Sequence, residues 1–184
     1  MMDSFNTFIY KNIQKLKSET NLSIFNVLTN NNDIVFICPN LYLGNTKSIN
    51  NIELLTKYNI DSIVNCTNDI PIHHHFNNKP ILRVDIEDSK DIENIEKFKS
   101  RIIHATYFID AQIKQNKNLI VHCYWCIMRS PTIIASYLIY KYKMDVDGAI
   151  EFIKDKKNFC FNNIYNFKEI LYYVKEEFNK VNDT

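Results

Sequence analysis

Leu119-Ile-Val-His-Cys-Tyr-Trp-Cys-Ile-Met-Arg-Ser-Pro-Thr132 is the stretch on which the reading of this 184-residue chain turns. Residues 119–121 are an apolar run bounded by polar residues, the pattern of a buried strand. His122 and Cys123 follow, and five residues separate Cys123 from Arg129. Ser130 comes next, and an apolar periodic segment over 131–142 begins at Pro131. A first helical turn tolerates proline because the missing N–H has no partner there anyway. Strand, tight loop and helix in that order bring a cysteine and an arginine to one small cavity.

Such a cavity has a chemical logic. Successive N–H groups of a curved loop form an anion nest, and the helix that follows adds its positive end. A phosphate dianion fits there, with Arg129 offering a planar two-pronged grip. The same field is expected to lower the Cys123 pKa, from about 8.5 toward the roughly 3.5–7.5 of activated thiols. Cys123 then becomes a nucleophile toward phosphorus, and Ser130 can hydrogen-bond the sulfur as it leaves. Arginine usage supports this: only Arg83, Arg101 and Arg129 stand among 22 basic residues, so an arginine here answers a geometric need.

The His122-Cys123-x5-Arg129-Ser130 pattern resembles the phosphate loop of the cysteine-dependent protein tyrosine phosphatases. Its Arg-Ser-Pro-Thr continuation is similar to the dual-specificity branch. Leu41-Tyr-Leu-Gly44, Ile63-Val-Asn-Cys-Thr67, the acidic stretch 81–89, and Tyr137, Leu138, Met144 and Ala149-Ile-Glu-Phe152 carry the likeness over about residues 34–175. The resemblance implies an α/β domain with a central, mostly parallel sheet flanked by helices and the phosphate loop between the last core strand and a helix. It also implies a protein phosphatase acting on phosphotyrosine and phosphoserine/phosphothreonine through a phosphocysteine. Cys123, Arg129, Asp88 and Ser130 carry the chemistry, and His122, Tyr124, Trp125, Cys126, Ile127, Met128 and Arg129 form the substrate cradle. No metal or other cofactor is implied. One departure stands out: Cys126 occupies the family's loop glycine, and it fits without strain only if its φ is negative.

The general acid is placed by register. Aligning Leu82-Arg-Val-Asp-Ile-Glu-Asp88 with the family's acid loop puts the proton donor at Asp88. Asp85, within a strand read over 81–86, and Asp91, an N-cap for the next helix, are the alternatives. Around these motifs, strands are expected at Ile34–Cys38, 41–43 and 62–66, and helices at 48–58, 92–115, 145–156 and 163–180. The stripe Ile92, Ile95, Phe98, Ile102, Ala105, Phe108, Ile109 and Ile113 faces inward on the longest helix.

Residues 31–184 are read as the catalytic domain and 1–30 as an N-terminal helix and linker. Phe5, Phe8, Ile9, Ile13 and Leu16 line one face of a helix over 3–17. Small virus-encoded members of the resembled family dimerise through such a helix, so a homodimer is one expectation and docking on its own domain the other. A net charge of +1 argues against nucleic-acid binding, and no apolar run suits a bilayer. Five scattered cysteines with no signal peptide read before them suit a reducing, cytoplasmic setting, which for a virus-encoded protein means host cytoplasm or virion. His73, His74 and His75 point to alternate faces of an extended chain and converge poorly on a metal ion.

Two other classes compete. Cys123-Tyr-Trp-Cys126 is a Cys-x-x-Cys at a helix start, as in thiol oxidoreductases, but that reading leaves Arg129 and Ser130 without a role. A phosphate-binding pseudophosphatase is favoured by the missing glycine and opposed by the intact Cys123 and Arg129. The uncharged loop residues 124–128 favour a phosphoprotein substrate over ligands bearing several phosphates.

Overall fold

The computed structural model describes residues 33–89, 91–162 and 165–182. The expected helix over 3–17, its linker and the dimer attached to them lie outside the described residues. Five strands, β1 (Ile34–Cys38), β2 (Leu41–Gly44), β3 (Ile60–Asn65), β4 (Ile81–Arg83) and β5 (Asn118–His122), form one sheet in the order β1-β2-β5-β3-β4. Only β1 and β2 pair antiparallel; β2–β5, β5–β3 and β3–β4 are parallel. The helices are α1 (Thr46–Ile49), α2 (Ile52–Lys57), α3 (Ile92–Lys114), α4 (Arg129–Tyr142), α5 (Val146–Lys156) and α6 (Tyr165–Asn182).

The apolar run that opened the sequence reading becomes the middle strand, covered on both faces. Leu119 and Val121 join the larger core, while Ile120 joins a smaller one with Ile34, Ile49, Leu55, Ile60, Ile63 and Phe76. That alternation is the strand's two-residue period. The larger core holds the inner stripes of α3 and α6 and most of α4, whose residues 129–139 are all buried. A helix buried so completely fixes the connection from β5 and leaves the loop between them little room to move.

Three expectations are corrected. The helix expected over 48–58 is two short helices, because Asn51 caps a fresh start: its side chain accepts from Leu54 N at 3.1 Å. The strand expected over 81–86 stops at Arg83, because the next carbonyls turn toward arginines. Ile92, expected on the inner stripe, is 81% exposed at the first turn of α3.

Asp110 ties α3 to α4. Its buried carboxylate accepts from Lys141 at 3.0 Å and pairs with Lys114 at 2.7 Å. Burial alone raises its pKa, but the two lysines outweigh it and hold the carboxyl below the usual range. A depressed carboxyl pKa stabilises the fold above the unfolded value of about 3.9, and that stabilisation fades as pH falls through the folded value. Asp110→Asn is therefore expected to be less stable than wild type at neutral pH, with the gap closing below about pH 4 in urea melts.

Candidate active site

The loop between β5 and α4 wraps around the Cys123 sulfur, which is 2% exposed. Cys126 N donates to Cys123 Sγ at 3.2 Å and Ser130 Oγ donates to it at 3.1 Å. Arg129 opens α4 with its side chain buried, and Nη1 donates to Cys66 O at 3.4 Å and to Ile86 O at 3.3 Å. Its Nε has no hydrogen-bond partner among the described residues. The expected cluster of Cys123, Arg129 and Ser130 is thus one contiguous group.

The loop is held from outside. Thr46 N and Oγ1 donate to Tyr124 O at 3.2 and 3.1 Å. Cys160 Sγ donates to Cys126 O at 3.1 Å, and Phe161 N to Ile127 O at 2.7 Å. Thr132 N and Oγ1 donate to Met128 O at 3.0 and 2.8 Å. Ile127 packs against the larger core and Met128 lies within it, so their part in any anion cradle is played by backbone. Gly44 lets the end of β2 lie close to α1 and β5: an added Cβ would stand 2.5 Å from Ser48 Oγ and 2.6 Å from Ile120 Cδ1.

Cys126 takes φ 63°, the left-handed region where its family counterpart is glycine. The strain foreseen for a positive φ is therefore present, at a cost of about 1–3 kcal/mol for a non-glycine residue. The electrostatics also differ from expectation. Burial pushes the Cys123 thiol up and the Cys126 thiol adds to it, while Ser130 and Arg129 pull it down without reversing the direction. His122 is fully buried, and burial lowers its pKa to about 4, an effect only partly offset by the Cys123 backbone nearby. A ring neutral at physiological pH lends no positive charge to the sulfur; His122 serves the strand, its carbonyl accepting from Cys66 N at 2.8 Å.

Of the three candidate acids, only Asp88 meets the arginine: Oδ2 lies 3.9 Å from Arg129 Nε, on a half-exposed side chain. Asp85 is occupied elsewhere. Lys97 donates to its Oδ2 at 3.1 Å and Arg101 to its carbonyl at 2.8 Å. The Lys97 hydrogen bond, despite some burial, holds the Asp85 carboxyl below its usual value, which suits a tether and not a proton donor. Asp91 sits at the N-cap position of α3 and accepts from the Ser89 hydroxyl.

Sequence reasoning missed what holds the acid segment. Asn94 of α3 accepts from Glu87 N at 2.9 Å and donates to Glu87 O at 2.8 Å and Ser89 O at 3.3 Å. Its signal was an asparagine inside an apolar stripe. Arg83, the third of the rare arginines, donates to Thr67 O and Ile70 O at 2.8 and 2.9 Å and shapes the turn after β3. The histidine run does not alternate faces as an extended chain would: 74–76 is a single helical turn, and the His73 and His74 rings lie against each other, centroids 3.9 Å apart. His73 accepts from His75 N, and His75 Nε2 lies 3.1 Å from Ile60 O and 2.8 Å from Lys79 Nζ.

Comparison with known proteins gives this geometry a family. The dual specificity phosphatase catalytic domain matches residues 41–177. Human dual specificity protein phosphatase 16 is 31% identical over 140 residues, 76% of this chain and 20% of that protein. The 123R protein of Invertebrate iridescent virus 6 is 29% identical over 137 residues, 73% of this chain and 87% of its own length. Among solved structures, human DUSP28 superposes with a TM-score of 0.71 at 17% identity, covering 80% of this chain and 96% of that one. The chain spans only about a fifth of the first human relative, so the likeness concerns a domain and not that whole protein. With the match running from β2 into α6 and taking in the whole Cys123–Ser130 loop, the chain belongs to the dual specificity phosphatase catalytic-domain family.

Proposed function

We propose that this protein hydrolyses phosphate monoesters on phosphorylated tyrosine, serine or threonine side chains of proteins through a phosphocysteine. The observation that carries the reading is the sulfur of Cys123 held by Cys126 N and Ser130 Oγ, with the Arg129 guanidinium buried beside it. Cys123 first gives its thiol proton to solvent; the thiolate, favoured by Ser130 and Arg129, then attacks phosphorus in line, the S–P bond forms, and the bond to the leaving oxygen breaks. Asp88 gives that oxygen its proton. As a carboxylate, Asp88 then takes a proton from water, whose oxygen bonds phosphorus while the S–P bond breaks. Ser130 stabilises the departing thiolate through the hydrogen bond it already makes. Arg129 and the loop N–H groups hold the equatorial oxygens, a preorganised stabilisation of charge where it builds up. The lack of charge at Tyr124, Trp125, Cys126, Ile127 and Met128 favours a substrate bearing a single phosphate, as a phosphoprotein does.

Among the described residues no helix is long and apolar enough to cross a membrane. An N-terminal helix over 3–17 supplies the contact of a homodimer in this reading; sedimentation of the full chain beside one starting at Asn31 tests it, and an oligomeric state that is the same for both overturns it.

Cys123→Ser is expected to reduce para-nitrophenyl phosphate turnover to background. Asp88→Asn should lose about 10²–10⁴-fold in kcat, most with poor leaving groups, while Asp85→Asn loses far less. Equal losses in both would refute the assignment of Asp88. Ser130→Ala removes a hydrogen bond that favours the Cys123 anion, so the pH profile of iodoacetate alkylation should move to higher pH. The strained Cys126 gives a stability prediction. Cys126→Val, β-branched at positive φ, should cost about 2 kcal/mol or more in urea unfolding, while Cys126→Gly stays within about 1 kcal/mol of wild type.

A further inference from the structure

The loop that surrounds Cys123 turns two large aromatic side chains outward. Trp125 is 64% exposed and Tyr124 is 39% exposed, whereas the neighbouring Cys126 and Met128 are buried. The two rings lie against each other, centroids 4.9 Å apart and planes at 58°. Trp125 is the chain's only tryptophan. Its exposure leaves the ring available at the surface of the loop. Their backbone is fixed, because Tyr124 O accepts from both Thr46 N and Thr46 Oγ1. An exposed aromatic pair held by its own stacking and by a tethered backbone loses little freedom when a partner covers it.

What covers it follows from where it stands. A phosphate reaching the buried Cys123 sulfur draws one side chain of the substrate into the cradle, so the peptide main chain crosses the rim. Consecutive Cα atoms are only about 3.8 Å apart, which keeps the neighbours of the phosphorylated residue within reach of the rim. No charge stands at positions 124–128 to meet a charged neighbour. Ile92, exposed four residues after Asp88, adds aliphatic surface near the acid segment.

We propose that the Tyr124–Trp125 pair is a specificity surface that selects phosphoprotein sites with a bulky apolar residue directly beside the phosphorylated one. The proposal rests on the phosphatase reading and adds a substrate class to it.

The test uses the full chain and phosphotyrosine peptides identical except for leucine, serine, aspartate or lysine on both sides of the phosphotyrosine. Wild type is expected to favour the leucine peptide over the serine peptide by about tenfold in kcat/KM, mainly through KM. In Trp125→Ala that ratio should fall to about one, whatever the overall rate. A wild-type ratio near one, a preference for aspartate or lysine, or a ratio that survives in Trp125→Ala overturns the proposal. In Cys123→Ser, which lacks the attacking sulfur and is expected to bind peptide without turning it over, the single tryptophan should shift its emission to shorter wavelength with the leucine peptide and not with inorganic phosphate. No shift, as would follow if the chain's own N-terminal segment covered the ring, also overturns it. Should neither peptide nor para-nitrophenyl phosphate be hydrolysed, the phosphatase reading fails by itself, and leucine-over-serine binding by emission still decides this inference.

Discussion

The Arg129 guanidinium is the joint of the site. Burying a cation is costly unless its N–H groups find acceptors, and Nη1 finds two carbonyls, Cys66 O at the end of β3 and Ile86 O before Asp88. One side chain thereby fastens the phosphate loop, the carboxyl end of β3 and the acid segment to one another. This explains why the acid segment leaves β4 early: Arg129 draws on Ile86 O while Arg101 of α3 draws on Asp85 O. A lysine, a point charge on a flexible stem, lacks the planar fork that reaches two carbonyls through Nη1 while Nε stands 3.9 Å from Asp88 Oδ2. The placing of Asp88 is thus a product of arginine chemistry at two positions.

Turn formation follows a similar economy. The chain has two glycines, neither at positive φ, yet it enters the left-handed region at Asn40, Asn59, Asn78 and Asn116. Asparagine tolerates that region because its short amide can hydrogen-bond locally. Asparagine thus has a structural use here, supplying turns around β1–β2, α2–β3 and α3–β5. Three other residues enter the same region: Lys143 at the C-cap of α4, and Cys126 and Phe161 at and behind the phosphate loop, where Phe161 N holds Ile127 O. Two of these three strained positions thus lie beside the proposed chemistry, held in place by the packing around them.

Much of this was legible in the residues. The β5–loop–α4 unit could be read because apolar run, cysteine, arginine, serine and proline each impose a local demand, and the demands agree. The stripes of α3 and α6 followed from periodicity, and the mostly parallel sheet from the family resemblance of the motifs. The break at Asn50–Asn51 was missed because a side-chain cap outbid a continuous helical pattern. The direction of the Cys123 shift was missed for a different reason. Loop amides and a helix end are local and visible in sequence, while burial depends on how tightly α4 and the rest of the larger core close over the thiol. The clasp by Asn94 and the tether at Asp85 are contacts between distant residues, and no spacing rule announces them.

One consequence lies in how the loop spends its oxygen lone pairs. Of the carbonyls from Tyr124 to Met128, those of Tyr124, Cys126, Ile127 and Met128 are each taken by a donor from outside the 124–128 stretch. With that many oxygens drawn outward, the inner wall is left mostly to N–H groups. A cation arriving there meets few ligands, whereas an oxyanion meets donors already aimed. The polarity of the lining is set by Thr46, Thr132, Cys160 and Phe161, none of which has to touch what binds.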